Sequence, residues 1–184
     1  MTNNNPVSRR DFLRLLGVGT ATIIAAPGIS LASTRQPERV LSFYNLHTGE
    51  KLKATYWANG RYVPSELASI NHLLRDYRED SQVRMDVHLL DALYNLQQKL
   101  HVPKREIHVI SAYRSPKTNA MLREANGGVA KNSMHIVGKA VDLRIPGVDL
   151  RHIYNGARSL KAGGVGYYAK NDFVHVDTGR VRYW

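Results

Sequence analysis

The chain has 184 residues, of which 43% are hydrophobic, and a formal net charge of +11 at pH 7. Cysteine is absent, which excludes disulfides, thiolate metal ligands and thiol redox chemistry. Basic chains often bind nucleic acid, but the basic residues here are scattered and form neither a basic helix nor an aromatic-basic repeat, so we expect no nucleic-acid partner.

Residues 1–32 have the features of an export signal. Ser8-Arg9-Arg10-Asp11-Phe12-Leu13 is a twin-arginine motif, and a weakly apolar stretch follows from Leu15 to Ala26. That stretch is too short and too rich in Gly, Thr and Ala for a convincing membrane span. Ser30-Leu31-Ala32 is typical of a signal cleavage site. We therefore predict export to the periplasm by the twin-arginine pathway, with no stable membrane anchor after cleavage; an uncleaved anchor is the alternative.

The remaining chain is predicted to form one domain. Residues 33–38 are expected to be a flexible lead-in, and residues 39–184 contain no repeat, low-complexity tract or interdomain linker. About 150 residues suffice for one domain with a sizeable core. The sequence leaves the oligomeric state open, and we favour a monomer.

The first half of this domain is predicted to contain two strands and two helices. Val40–Tyr44 and Lys51–Trp57 have the composition of strands and are joined by a turn at Thr48-Gly49. A helix is predicted from Pro64 to about Glu79, with an apolar stripe that includes Tyr77. A second helix is capped by Asp86 and extends to about Leu100.

The second half alternates between the two kinds of element. Glu106–Ala112 reads as a central strand, Ser115-Pro116 starts a helix, and residues 126–134 form a polar, Gly-rich loop. A short helix over about Asp149–Leu160 leads into Gly163–Tyr168, which should enter the sheet. We predict a compact α+β domain, with a central antiparallel or mixed sheet and helices packed on one side.

Two segments near the carboxyl end carry the residues best suited to chemistry. His135, Asp142 and His175 offer two imidazoles and one carboxylate, which is one ligand short of a closed tetrahedral zinc site and typical of a catalytic one. Residues 139–145 and 173–177 alternate as strands, so two adjacent strands would bring Asp142 and His175 together, with His135 supplied by the preceding loop. On spacing alone, ordinary polar strand residues remain the alternative.

The pattern Ser-x-His-x6-Asp, followed by Phe-Val-His-Val-Asp, resembles peptidase family M15, and within it the murein endopeptidase K group. Further residues carry this resemblance: Asn45–Glu50, Ser111–Ser115, Gly127–Lys131, Ala162–Tyr168 and Arg182–Trp184. The likeness covers nearly the whole chain after residue 38. It implies a Hedgehog/DD-peptidase fold and one Zn²⁺ per chain, with His135, Asp142 and His175 as the metal ligands.

The resemblance also suggests which residue accepts a proton. Zinc so held would lower the pKa of a bound water towards about 7 and polarise a scissile carbonyl, and a nearby base must take the proton. Asp172 is the first candidate, because related enzymes place an acidic residue three positions before the final histidine ligand; a solvated aspartate in a turn is the alternative. Asp177 is the second candidate, either as base or as a partner that orients a ligand imidazole.

Three further residues are candidates for substrate binding. Arg114 lies where the predicted central strand ends, and an arginine can hold a carboxylate by two parallel hydrogen bonds. The resemblance implies that it binds a substrate carboxylate or carbonyl; a surface salt bridge is the alternative. Ser133 is expected to bind substrate or to brace the loop before His135. Tyr113 is expected to line the cleft, unless its role is structural.

Together these features predict a zinc-dependent murein endopeptidase. Its substrate would be the peptide stems of peptidoglycan, and the bond cleaved an amide in a cross-link, such as the one joining two meso-diaminopimelate residues. Two alternatives stay open: a DD-carboxypeptidase acting on stem peptides, and a non-catalytic cell-wall-binding module that contains zinc.

Overall fold

The structure, a computed structural model, describes residues 37–126 and 128–184. The predicted export signal at residues 1–32 and most of the lead-in lie outside the described residues, so both remain predictions. Within the part of the chain that is described, no helix combines the length and the apolar character that a membrane crossing requires.

A single mixed sheet organises the domain. Its strands are β1 (Arg39–Asn45), β2 (Lys51–Ala58), β3 (Arg61–Tyr62), β4 (Ile107–Ser111), β5 (Ala140–Arg144), β6 (Gly164–Tyr168), β7 (Phe173–Asp177) and β8 (Arg182–Tyr183). They lie in the order β3-β2-β1-β4-β5-β7-β6-β8. β1 with β4 and β6 with β8 are parallel pairs, and the other neighbours are antiparallel. The predicted α+β class and mixed sheet are confirmed.

The described residues contain four α-helices: α1 (Pro64–Leu73), α2 (Val87–Lys99), α3 (Pro116–Asn126) and α4 (Leu150–Leu160). Strand residues such as Phe43, Val109 and Leu143 form one apolar core with residues of α1, α2 and α4, including Leu93. Side chains alternate between the two faces of a strand, so the neighbours of these core residues point to the opposite face.

The first helix is shorter than its apolar stripe predicts, and the end predicted at Glu79 is wrong. It stops at Leu73 because the following residues form a turn around the buried Asp76, whose carboxylate accepts hydrogen bonds from the backbone N–H groups of Arg78 and Ser115. Tyr77, expected in the buried stripe, is 36% exposed and stacks on His47.

A glycine with a left-handed backbone conformation ends the segment that leads into β5. Gly138 has a φ of 66°, and its carbonyl accepts a hydrogen bond from the Asp86 N–H at 3.0 Å. Asp86 also caps α2 through the His88 N–H and accepts a hydrogen bond from the Thr178 hydroxyl at 2.7 Å, beyond the end of β7. The start of α2, the entry to β5 and the exit from β7 are therefore tied at one place.

Gly138→Ala should destabilise the domain more than Gly60→Ala. Both positions have a positive φ, which costs an L-residue roughly 1–2 kcal/mol. A Cβ at Gly60 meets nothing within 4 Å, whereas a Cβ at Gly138 would lie 2.8 Å from Val83 Cγ1 and 3.0 Å from the Arg84 carbonyl oxygen. That crowding adds about 1–3 kcal/mol. Urea unfolding of the two variants measures the difference, and equal losses would contradict this account.

Candidate metal centre

Three buried side chains meet on the sheet face opposite the apolar core. Asp142 on β5 and His175 on β7 are direct cross-strand partners. His135 lies on a 3₁₀ turn (Met134–Val137) that precedes β5, and the Ser133 hydroxyl caps this turn by accepting the His135 N–H at 3.3 Å. The strand alternation thus places the two residues as the sequence predicts, and the turn delivers the third.

The three side chains present one ligand atom each at nearly equal separations. His135 Nε2 lies 3.3 Å from His175 Nδ1 and 3.3 Å from Asp142 Oδ1, and the latter two atoms are 2.8 Å apart. Tetrahedral zinc with bonds of 2.0–2.2 Å separates its ligand atoms by about 3.3 Å. Among the described residues this is the cluster of histidine and carboxylate groups that could hold a metal, and its donor set fits zinc with one position left to a non-protein ligand.

Each imidazole makes a hydrogen bond to a group outside the cluster, and that bond determines which of its nitrogens faces the cluster. His135 Nδ1 lies 2.5 Å from the Ala112 carbonyl oxygen, just beyond β4. A carbonyl only accepts, so Nδ1 carries the proton and Nε2 presents its lone pair. His175 has the opposite arrangement: its Nε2 donates to Asp177 Oδ2 at 2.9 Å, so that Nδ1 is the nitrogen that faces the cluster.

Asp177 is completely buried and accepts five hydrogen bonds. The donors are the backbone N–H groups of Gly164 and Gly179, two nitrogens of the Arg182 guanidinium, and His175 Nε2. Burial alone would raise the pKa of the Asp177 carboxyl, but these donors hold it well below its usual range. Asp177 does not line the cavity beside the cluster, so its position suits an orienting partner of His175 and not a base that meets substrate.

The electrostatics of the cluster keep its carboxylate ionised. Burial would raise the pKa of the Asp142 carboxyl, but the charges and hydrogen bonds of His135 and His175 hold it well below its usual range. Burial lowers the pKa of His175, while its hydrogen bonds to Asp142 and Asp177 raise it overall. A metal ion that binds His175 would displace the proton from its cluster-facing nitrogen, as metal ligation generally does.

A cavity of about 360 Å³ opens beside the cluster. Besides the three cluster residues, its lining includes Arg114, Arg182, loop residues 128–130 and 132–134, and the aromatic residues Tyr168, Phe173 and Trp184. Asp142 is the single carboxylate that lines it among the described residues.

Arg114 is the unneutralised cation of this cavity. In the described part of the chain its guanidinium has neither a hydrogen-bond acceptor nor a carboxylate within ion-pair distance, and its buried Nε is unsatisfied. Burial lowers the pKa of Arg114 and the nearby Arg78 lowers it further, whereas the Asp142 charge raises it. The surface salt bridge considered from the sequence is absent among the described residues. An orphaned donor next to the cluster indicates an anion-binding group.

The structure does not bring Asp172 into the cavity. Its Oδ2 accepts a hydrogen bond from Arg144 Nη1 at 2.6 Å, and 63% of its side chain is exposed. Asp172 follows a 3₁₀ turn and has a φ of 54°, so it does not continue the alternation of β7.

The other two predicted substrate residues differ in position. Ser133 lines the cavity while its hydroxyl braces the turn that carries His135, so both of its expected roles suit its place. Tyr113 lies outside the cavity lining: it packs against the core, and its N–H bonds the Leu74 carbonyl.

Sequence reasoning assigned no role to Arg182 and Trp184, which the structure places at the cluster. One clue was available. Gly164 and Gly166 alternate within a strand, and glycines on one strand face often mark the close approach of another group.

Comparisons with known proteins agree with this geometry. Residues 32–184 match the family model described as Peptidoglycan L,D-endopeptidase MepK. The chain is 44% identical over 178 residues to the protein of that name from Escherichia coli K12, covering 96% of this chain and 97% of the relative. It is 43% identical over 178 residues to a probable peptidoglycan L,D-endopeptidase MepK from Haemophilus influenzae, covering 96% and 95%. No solved structure matches significantly.

Asp177→Asn should weaken zinc binding by about 10- to 100-fold, the usual effect of losing a group that orients a ligand. In either orientation the amide puts an NH₂ among donors that need an acceptor, so His175 loses its fixed tautomer. Isothermal titration of metal-free protein with zinc at constant pH gives the affinity.

Asp172→Asn is the matched control. It makes the same change of acid to amide on an exposed side chain, and it should leave zinc affinity unaltered. Equal weakening in both variants would show that the loss of negative charge matters and the orientation of His175 does not.

Proposed function

We propose that this chain, which belongs to the Peptidase_M15_2 family of peptidoglycan L,D-endopeptidases, is a zinc-dependent enzyme that hydrolyses amide bonds in peptidoglycan cross-links. The observation that carries the proposal is the buried His135/Asp142/His175 cluster, whose three potential ligand atoms lie 2.8–3.3 Å apart. We propose the amide joining two meso-diaminopimelate residues as the bond cleaved and the periplasm as the place of action. Export by the twin-arginine pathway is part of this proposal and rests on residues 8–13 alone.

The cluster supplies the chemistry of amide hydrolysis in outline. Zinc held by His135 Nε2, Asp142 Oδ1 and His175 Nδ1 would acidify a water and polarise the scissile carbonyl. The chain's own contribution is to fix both imidazoles: the Ala112 carbonyl holds His135, and Asp177 holds His175. Because Asp177 is itself held by two backbone N–H groups and Arg182, the ligands need no rearrangement when substrate binds.

Arg114 is proposed to bind a carboxylate of the substrate. Its guanidinium lines the cavity without a partner among the described residues, and a free carboxylate would neutralise it by paired hydrogen bonds. Diaminopimelate cross-links retain such carboxylates next to the amide. This matches the cationic wall of the cavity to the chemistry of the proposed substrate.

Asp172 is proposed as the base that accepts the proton, on the resemblance in sequence. In the structure its carboxylate is held by Arg144, which lies two residues from Asp142 on the same strand face, about 7 Å along the strand. The role therefore requires this ion pair to open. The pair is largely exposed, and such pairs contribute about 0–1 kcal/mol, so its opening costs little.

Purified protein is expected to cleave defined cross-linked muropeptides, with products identified by mass spectrometry. Thorough chelation should abolish cleavage, and added zinc should restore it.

Asp172→Asn should lower kcat by about 10²- to 10⁴-fold, the usual contribution of a general base, while zinc affinity is kept.

Four outcomes would contradict these expectations. Cleavage that survives complete metal removal would exclude the mechanism. Binding to cell-wall polymer without cleavage by zinc-loaded protein would favour the wall-binding module. Release of terminal D-alanine without cleavage of cross-links would favour the carboxypeptidase. Full activity of Asp172→Asn would assign the base elsewhere.

Arg114→Ala should raise KM by about 10- to 100-fold for a cross-linked substrate with free carboxylates, the value of hydrogen bonds to a charged group. The same substrate with its carboxylates converted to primary amides should bind the parent poorly and lose little further in the variant. Arg61→Ala, which removes an exposed arginine from β3, is the control. Equal losses on acid and amide substrates would show that Arg114 does not recognise a carboxylate.

A further inference from the structure

Two glycines on β6 allow Arg182 and Trp184 to reach the metal cluster. Gly166 is the cross-strand partner of His175. A Cβ at Gly166 would lie 2.6 Å from Cε2 and Nε1 of Trp184, and a Cβ at Gly164 would lie 2.6 Å from an Arg182 nitrogen. A side chain at either position on β6 would displace these residues. The two glycines therefore allow Arg182 to reach Asp177 and Trp184 to pack against His175.

Arg182 and Trp184 contact different groups of the site, and the Arg182 guanidinium also lies over the Trp184 ring, 5.0 Å from its centroid. Arg182 binds the carboxylate of Asp177, behind His175. Trp184 packs against His175 itself, with ring centroids 5.3 Å apart, and its Nε1–H donates to the Tyr168 hydroxyl at 2.8 Å. Its backbone is fixed as well, because its carbonyl accepts the Tyr167 N–H at 2.9 Å and its N–H donates to the Val165 carbonyl at 3.2 Å.

Trp184 belongs to a continuous aromatic surface, which we call the aromatic wall: Tyr168, Phe173 and Trp184. Tyr168 stacks on Phe173 with centroids 4.5 Å apart and bonds Trp184 through its hydroxyl. All three line the same cavity as Arg114, and Trp184 remains 45% exposed although its backbone and its indole N–H are hydrogen-bonded. A rigid, partly exposed indole presents apolar surface to a ligand at little cost in conformational entropy.

We propose that Trp184 is a specificity-determining residue that packs the aliphatic chain of the substrate residue whose carboxylate Arg114 binds. This rests on the proposed function and deepens it. The cavity is lined both by a cation without an ion-pair partner among the described residues and by an apolar aromatic surface, so it fits a side chain with several methylenes and a nearby carboxylate. A short side chain such as a methyl group would leave the indole surface uncovered.

Trp184→Ala should raise KM by about tenfold for a cross-linked substrate whose scissile residues carry long aliphatic side chains. For a cross-linked substrate with 2,3-diaminosuccinate at those positions, which keeps both amino and both carboxyl groups but lacks the methylenes between them, KM should change little. Trp184→Phe should retain most of the preference, because a flat apolar ring remains. Zinc affinity should be unaltered, since Trp184 contacts His175 only through its ring and makes no hydrogen bond to any of the three proposed metal ligands.

Tyr183→Ala is the matched control, because it removes a neighbouring aromatic side chain whose hydroxyl bonds the Arg158 carbonyl, away from the cavity. It should preserve the discrimination between the two substrates. Equal KM changes on both substrates for Trp184→Ala, or a loss of zinc affinity, would overturn the proposal and make Trp184 a structural support of His175.

A binding measurement separates this proposal from the proposed function. The chain has two tryptophans, so Trp57→Phe leaves Trp184 as its sole indole. Titrating this metal-free protein with the long-chain substrate should change the indole emission, whereas the diaminosuccinate substrate should change it little. Absence of cleavage by zinc-loaded protein would contradict the proposed function alone. Binding of the long-chain substrate without a change in emission would overturn the role of Trp184.

Discussion

The site depends on one buried carboxylate, Asp177. An ionised group without solvent contact is costly unless it is fully paired, and this one is held by two backbone N–H groups, a guanidinium and an imidazole. One backbone donor comes from the neighbouring strand, at the start of β6, and the other from the turn after β7. The carboxylate therefore fixes the geometry of the strand ends as well as the tautomer of His175.

A second fixed acceptor, the Ala112 carbonyl, does for His135 what Asp177 does for His175. The two imidazoles offer different nitrogens to the cluster because their outer hydrogen bonds point in different directions, one to the end of β4 and one along β7. Asp142 lies between them, on the strand that separates β4 from β7. Three adjacent strands thus position one centre, and a shift of register in any of them would take a lone pair away from it.

Much of this arrangement could be predicted from the sequence, because it follows from local alternation. The period of two over residues 139–145 and 173–177 places Asp142 and His175 on the same face of paired strands, and the structure pairs them directly. The end of α1 could not be predicted in this way: the apolar stripe continues to Tyr77, but hydrogen bonds of Asp76 to a residue 39 positions away stop the helix. The approach of Trp184 also depends on a parallel pairing between β6 and β8, which no local pattern encodes.

The polar groups in and near the cavity differ in whether the fold provides them with a hydrogen-bond or ion-pair partner. Arg182 and Arg144 have carboxylate partners, and the indole N–H of Trp184 has the Tyr168 hydroxyl. Arg114 has none among the described residues, although it is largely buried and its pKa is lowered by that burial. A fold that pairs Arg144 and Arg182 with carboxylates but leaves the partly buried Arg114 unpaired would be stabilised when an anion enters. In the proposed binding mode one ligand would contact both Arg114 and the aromatic wall, so its charge and its shape would be selected together.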